Sequence, residues 1–370
     1  MKIQKVVLQL LKMPLKEPFE TSFGRQLSRE VIIVRVISEG ITGYGECVAL
    51  TRPIYNEETT ETAWHVMEKF LIPTLLSNTI AHPDEVSALF SFIKRNNMAK
   101  AALESAVWDL YSKQQGVSLS TALGGTFKRI NVGVSIGLQQ SVDELVKRVG
   151  GFLQQGYKKI KIKIKPGKDI ESIKAIRETF GYDVPLMADA NSSYTLDDIE
   201  LLKALDAYQL MMIEQPLAHD DIVDHATLQA QLLTPICLDE SIHSAEDARK
   251  AIELGSCGII NIKSGRVGGL TESKKIHDLC VKHHIPVWCG GMLETGIGRA
   301  HNIALASLSN FVIPGDTSAS SKYWNEDIVQ PEITMTEPGK MAVPTEPGFG
   351  FQIAEDVFQK YLLHEKTYSM

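Results

Sequence analysis

Eight short apolar runs, each closed by a polar residue, recur along this sequence at a nearly constant interval. Ser135 closes NVGVS, Lys163 closes KIKIK, Asp189 closes PLMAD, Glu214 closes QLMMIE, Asp239 closes PICLD, Lys263 closes GIINIK, Cys289 closes IPVWC and Asp316 closes FVIPGD. The successive gaps are 28, 26, 25, 25, 24, 26 and 27 residues. Each interval holds one strand, one helix and two short loops, and alternating units of this size build a parallel sheet. Eight in a row with right-handed crossovers favour closure into a (β/α) barrel. An open doubly wound sheet is disfavoured, because no Gly-rich phosphate loop follows the first strand.

The residues before this pattern have a different character. VVLQLL and VIIVRVIS are strand-like, and GITGYGEC reads as a Gly-rich turn between or after strands. MAKAALESAVWDLYSKQQG places Ala102, Ala106 and Leu110 four residues apart, a helix with a small-residue face. The first third therefore reads as a separate α+β module over residues 1–127, followed by a barrel over 128–320. The Pro- and Gly-rich segment within 321–370 is expected to return to the first module.

Composition excludes several function classes. A formal charge of −7 offers no basic field for nucleic acid. No run of 18 apolar residues exists to span a membrane. The N-terminal apolar stretch is interrupted by Gln9 and Lys12 and reads as a strand, not a signal peptide. Five scattered cysteines without a C-x-x-C pair argue against a disulfide framework or a zinc knuckle and for a reducing cytoplasm. The expected partner is a small carboxylate substrate; the chain is also expected to form a homo-oligomer, although no stretch marks an interface.

In a closed parallel barrel, catalytic groups gather at the C-terminal ends of the strands. Three consecutive units here end in Asp189, Glu214 and Asp239, with Lys163 one unit before and Lys263 one unit after. Three carboxylates converging in a partly dry pocket repel one another unless a cation neutralises them. Oxygen ligands without His or thiolate select a hard ion, Mg²⁺ first and Mn²⁺ as the alternative. Such an ion would stabilise an enolate developing from a substrate carboxylate. Lysine can remove an α-proton if its ammonium is brought down from about 10.4 by partial burial and a second cation. Lys161, on the same strand face as Lys163, supplies that cation. Lys159 and Lys165, nearer the strand's start and exit, are expected to face water. Taken alone, the Lys/Ile alternation would equally suit a charge-protected edge strand, and MADAN and IEQP would suit ordinary turns. Recurrence once per βα unit weighs against those readings.

At these residues the chain resembles the enolase superfamily, in the muconate-lactonizing subgroup. The matching motifs are KIKIK, DAN (Asp189, Asn191), EQP (Glu214), DES (Asp239) and KSGRVGG (Lys263 to Gly269). GYGEC and ALESAVWDLYSK resemble that superfamily's N-terminal capping domain. CGGMLETGIGRAHNIALASL and PGDTSASSKYW resemble a narrower family, the o-succinylbenzoate synthases, some of which racemise N-acylamino acids.

The resemblance implies a modified TIM barrel, (β/α)7β, with an α+β capping domain completed by the C-terminal tail. It implies a lysine-based, Mg²⁺-dependent dehydration in menaquinone synthesis, with Lys163 and Lys263 on opposite faces of an enolate. It also implies substrate contacts at Ser135, Asn191, Gly291 and Met292. Phe19, Phe23 and Tyr55 offer apolar cover from the capping module, with core packing equally open for each. Arg266 would either depress the Lys263 ammonium or form a loop salt bridge. His243 and His301 close no strand and read as structural. Dipeptide epimerase, cycloisomerase and a silent metal-binding protein are the rival readings.

Overall fold

A computed structural model of the chain describes residues 1–21 and 24–369. Phe23, one of the proposed covering aromatics, lies outside the described residues. The two N-terminal runs form long antiparallel strands, Lys5–Thr21 and Gly24–Ser38, joined by a third, Ile41–Cys47. The expected return of the tail takes the form of a strand, Leu362–Ser369, which pairs antiparallel with Lys5–Thr21 and completes a four-stranded sheet.

The segment read as a Gly-rich turn is mostly strand. Only Glu39 and Gly40 turn; Gly43 and Gly45 lie within Ile41–Cys47. Their missing side chains serve packing. A Cβ on Gly43 would stand 2.1 Å from the carbonyl oxygen of Ala106, and one on Gly45 would stand 2.0 Å from that of Ala102. The small-residue face of the helix Asn97–Gln114 therefore lies directly on this strand.

Seven of the eight apolar runs become parallel strands in chain order: Val134–Ile136, Ile160–Lys163, Leu186–Asp189, Ile213–Glu214, Ile236–Leu238, Ile259–Ile262 and Val287–Cys289. The eighth, FVIPGD, is irregular. Pro314 has no amide to donate to a ladder. The segment still closes the ring. Asp316 N–H donates to Cys289 C=O at 2.9 Å on one side, and Gly133 N–H donates to Gly315 C=O at 2.6 Å on the other.

The capping sheet and the barrel meet through buried carboxylates. The side chain of Glu46, on the third strand, accepts from Thr295 N–H at 3.0 Å, Thr295 Oγ1 at 2.6 Å and Gly298 N–H at 2.9 Å. Glu104, in the cap helix, accepts from Leu270 N–H and Thr271 N–H, both at 2.8 Å, and from Trp108 Nε1 at 2.9 Å. The amide donors among these open the barrel helices Gly296–Leu305 and Leu270–Lys282, whose first amides have no partner within the helix. Burial pushes both carboxyls up to about 7 despite these bonds.

Candidate active site

The parallel register sets the site. Lys163 pairs with Asp189 across two strands, and Asp189 with Glu214 across the next two. Asp239 follows Leu238 at the end of the fifth strand, and Lys263 follows Ile262 at the end of the sixth. Lys163 and Lys263 thus stand four strands apart in a ring, on opposite sides of its mouth. A recess there is lined by Phe19, Tyr55, Ser135, Asn191, Gly291 and Met292, together with Lys161, Lys163 and Lys263. All the proposed substrate-contact residues among those described come together in this recess.

The carboxylates lie beneath it, each engaged by a cation. Lys163 Nζ donates to Asp189 Oδ2 at 2.5 Å and to Asn191 Oδ1 at 2.7 Å. Lys161 Nζ lies 2.5 Å from Asp316 Oδ2, 3.2 Å from Glu214 Oε2 and 3.3 Å from Asp189 Oδ2. Lys263 Nζ donates to Asp239 Oδ2 at 2.6 Å and to Tyr55 Oη at 3.2 Å. A Cβ on Gly290 would stand 2.6 Å from Asn261 Nδ2 and 2.7 Å from Lys263 Cε, so glycine there makes room for both side chains.

Electrostatics follow from these pairings. Burial alone would raise the Asp189 carboxyl, but the ammonium groups of Lys163 and Lys161 outweigh it and hold it below its ordinary range. Burial disfavours the charged form of Lys161, yet Asp316, Glu214 and Asp189 together raise it well above the ordinary lysine value. Burial likewise opposes charge on Lys263, and Tyr55, Glu240 and Glu214 reverse it, so this lysine is raised too. The expectation that Arg266 depresses Lys263 is therefore not met. Arg266 forms the alternative salt bridge: its Nη1 sits on Asp239 Oδ1, and its Nε donates to Ile242 C=O at 2.6 Å.

Lys159 is a second correction. It does not face water. It is fully buried, with Nζ 3.3 Å from the centroid of Trp288 and 3.3 Å from Asp316 Oδ1. Period-two alternation carries Lys159, Lys161 and Lys163 to the same inward face. The interior of a barrel this size is packed with side chains. Burial lowers the Lys159 ammonium, while burial of Asp316 is outweighed by Lys159 and Lys161, which hold that carboxyl at about 2.

Three groups in the site received no role from the sequence. Asp316 closes one of the eight runs, and that recurrence was its only signal. Glu240, directly after Asp239, accepts from Asn191 Nδ2 at 2.9 Å. Gln215 ties neighbouring strand ends, accepting from Asp239 N–H at 3.0 Å and donating to Ala218 C=O at 2.9 Å. Its φ of 38° is one that side chains other than glycine, Asn and Asp rarely adopt.

The donor set of Asp189, Glu214 and Asp239 is buried, all-oxygen and placed on consecutive strands, which suits a hard divalent ion. With the side chains as they lie, no three acidic, thiol or imidazole groups among the described residues are gathered closely enough to hold one. The lysines occupy the space between the acids. Asp189, Glu214, Asp239 and Asp316 pair with Lys159, Lys161, Lys163, Lys263 and Arg266, while burial raises the carboxyls of Glu214 and Glu240.

Comparison with known proteins points the same way along the whole chain. Residues 3–124 match the mandelate racemase/muconate lactonizing enzyme N-terminal domain, and residues 144–357 match the enolase C-terminal domain-like family. An o-succinylbenzoate synthase of Geobacillus kaustophilus is 56% identical over 367 residues, covering 99% of this chain and 97% of the relative. An N-succinylamino acid racemase of Amycolatopsis sp is 47% identical over 350 residues, covering 95% of each. A crystal structure of an enolase superfamily member from Listeria innocua superposes with a TM-score of 0.97 at 47% identity, covering 100% of this chain and 99% of that one.

Proposed function

Because the chain belongs to the mandelate racemase/muconate lactonizing enzyme family of the enolase superfamily, whose members are in general divalent-metal dependent, we propose that it is an o-succinylbenzoate synthase. It would dehydrate 2-succinyl-6-hydroxy-2,4-cyclohexadiene-1-carboxylate in menaquinone synthesis. The observation that carries this reading is a pair of lysines on opposite sides of one recess, above a buried row of carboxylates. The relatives named as synthases at 56 and 55% identity support it.

In this proposal Lys163 Nζ takes the proton α to the substrate carboxylate. Lys263 lies across the ring and offsets its developing negative charge. The hydroxyl then departs as water, taking the proton that the Lys163 ammonium now carries, and the new C=C bond completes an aromatic ring. Asp189, Glu214 and Asp239 would hold Mg²⁺, which when bound supplies positive charge at the substrate carboxylate oxygens. The same abstraction, with the proton returned from the other face, racemises an N-succinylamino acid, and relatives named as such racemases at 47 and 45% identity favour this second activity. A cytoplasmic homo-oligomer, and units bounded at 127 and 320, belong to the same proposal.

The test compares kcat/KM on the cyclohexadiene and on N-succinylamino acids in wild type and Lys163→Ala. Both activities should fall at least about 100-fold. Substantial turnover in the variant would remove Lys163 as the base. Chelation should abolish activity and Mg²⁺ should restore it.

A further inference from the structure

The recess over the lysines is small, about 70 Å³. Small-molecule sites usually occupy roughly 300–1,000 Å³. A second cavity, of about 570 Å³, opens beside it, and Phe19, Ser135 and Tyr323 line both. Lys322 also lines the second cavity. Its Nζ lies 4.4, 5.6 and 5.8 Å from the ring centroids of Tyr323, Phe152 and Phe19, and donates to Ser135 C=O at 2.8 Å.

No carboxylate among the described residues forms an ion pair with this ammonium. The nearby acid Glu17 is engaged by Arg148 at 2.8 Å. Burial, only partly offset by Asp316, brings the Lys322 ammonium down to about 7, as befits a cation without a close counter-charge. At the junction of the two cavities, Ser135 is 5% exposed and its hydroxyl is buried without a hydrogen-bond partner. A native fold rarely leaves a buried polar group unpaired without a water, an ion or a functional role to account for it.

We propose that the second cavity receives the far, anionic end of an extended dicarboxylate, with Lys322 as its counter-ion and the Ser135 hydroxyl as a hydrogen-bonding partner along the way. This rests on the synthase and racemase reading, in which both substrates carry a succinyl chain ending in a carboxylate. The recess over Lys163 and Lys263 holds the reacting end, and the acyl tail passes Phe19 and Tyr323. A neutral acyl group such as acetyl would leave Lys322 without its anion. Selectivity for succinyl over acetyl substrates therefore resides at Lys322, away from the proton-transfer groups.

The test measures the ratio of kcat/KM for an N-succinylamino acid to that for the N-acetyl form of the same amino acid. Wild type should favour the succinyl substrate. Lys322→Met should lower the ratio roughly 10- to 100-fold, the range of one charge-assisted hydrogen bond, chiefly through KM for the succinyl form. Lys322→Gln serves the same purpose if the methionine variant does not fold. Lys322→Arg, which keeps the charge, should hold the ratio within a few-fold of wild type. An unchanged ratio in Lys322→Met, or an equal fall in Lys322→Arg, overturns the assignment while leaving the functional reading intact. Wild-type protein that turns over neither the cyclohexadiene nor N-succinylamino acids defeats the functional reading, and this inference with it.

Discussion

Glu46 and Glu104 at the junction of cap and barrel, and Asp316 at the barrel mouth, are all buried, yet their carboxyls go opposite ways. The two glutamates meet amides, a hydroxyl and an indole N–H, all neutral donors. Desolvation wins and both carboxyls rise to about 7. Asp316 lies between Lys159 and Lys161 and is held at about 2. Burial is common to both places, so the partner decides the sign. The junction is built for adhesion, through bonds that survive protonation. The mouth is a cluster of opposite charges in which the removal of any one member is felt by the rest.

Asp316→Asn should break the mouth and produce the largest effect. It leaves two buried ammonium groups with one counter-charge fewer, and about 3–5 kcal/mol should be lost in chemical denaturation, along with activity. An unchanged midpoint would refute the charge-cluster account. Glu104→Ala comes next. It strips the acceptor from Leu270 N–H, Thr271 N–H and Trp108 Nε1 and should cost about 3 kcal/mol. The kcat of the protein that remains folded should stay within a few-fold of wild type, and a parallel collapse of kcat would show that junction and mouth are not separable. The smallest effect is one of pH. A carboxyl raised in the fold contributes stability that is fully present below its unfolded value of about 4.5 and lost as pH rises through about 7. Between those limits wild type should lose more stability than Glu104→Gln, by about 2 kcal/mol. Buried His301 titrates alike in both proteins, so the difference isolates the glutamate. Parallel curves would show that Glu104 is charged throughout.

The mouth was legible because a barrel brings every strand's C-terminal end to one place. A constant spacing along the chain thereby becomes a cluster in space, and spacing with residue type points to Lys163, Asp189, Glu214, Asp239 and Lys263 as neighbours. Lys159 departs from the expectation of a water-facing side chain because the interior of the barrel stays packed along its length. The eighth run matches the strand pattern in composition, but Pro314 denies it a ladder, and nothing beyond the recurrence marks Asp316. The junction left no local signal at all. Glu46 meets Gly298 across 252 residues of chain, and Glu104 meets Leu270 across 166. Such contacts are products of the tertiary fold. The glycines at 43 and 45 looked like a turn because the helix that requires them lies far along the sequence.

The strand Leu362–Ser369 lies against Lys5–Thr21, its partner from the far side of the sequence. A ribosome releases one long before the other, so the growing chain carries a 17-residue strand with one unpaired edge while the barrel is being made. Such an edge is a template for any neighbouring chain. A chaperone that shields the early strand until the tail arrives would protect this edge during synthesis and leave the finished enzyme untouched.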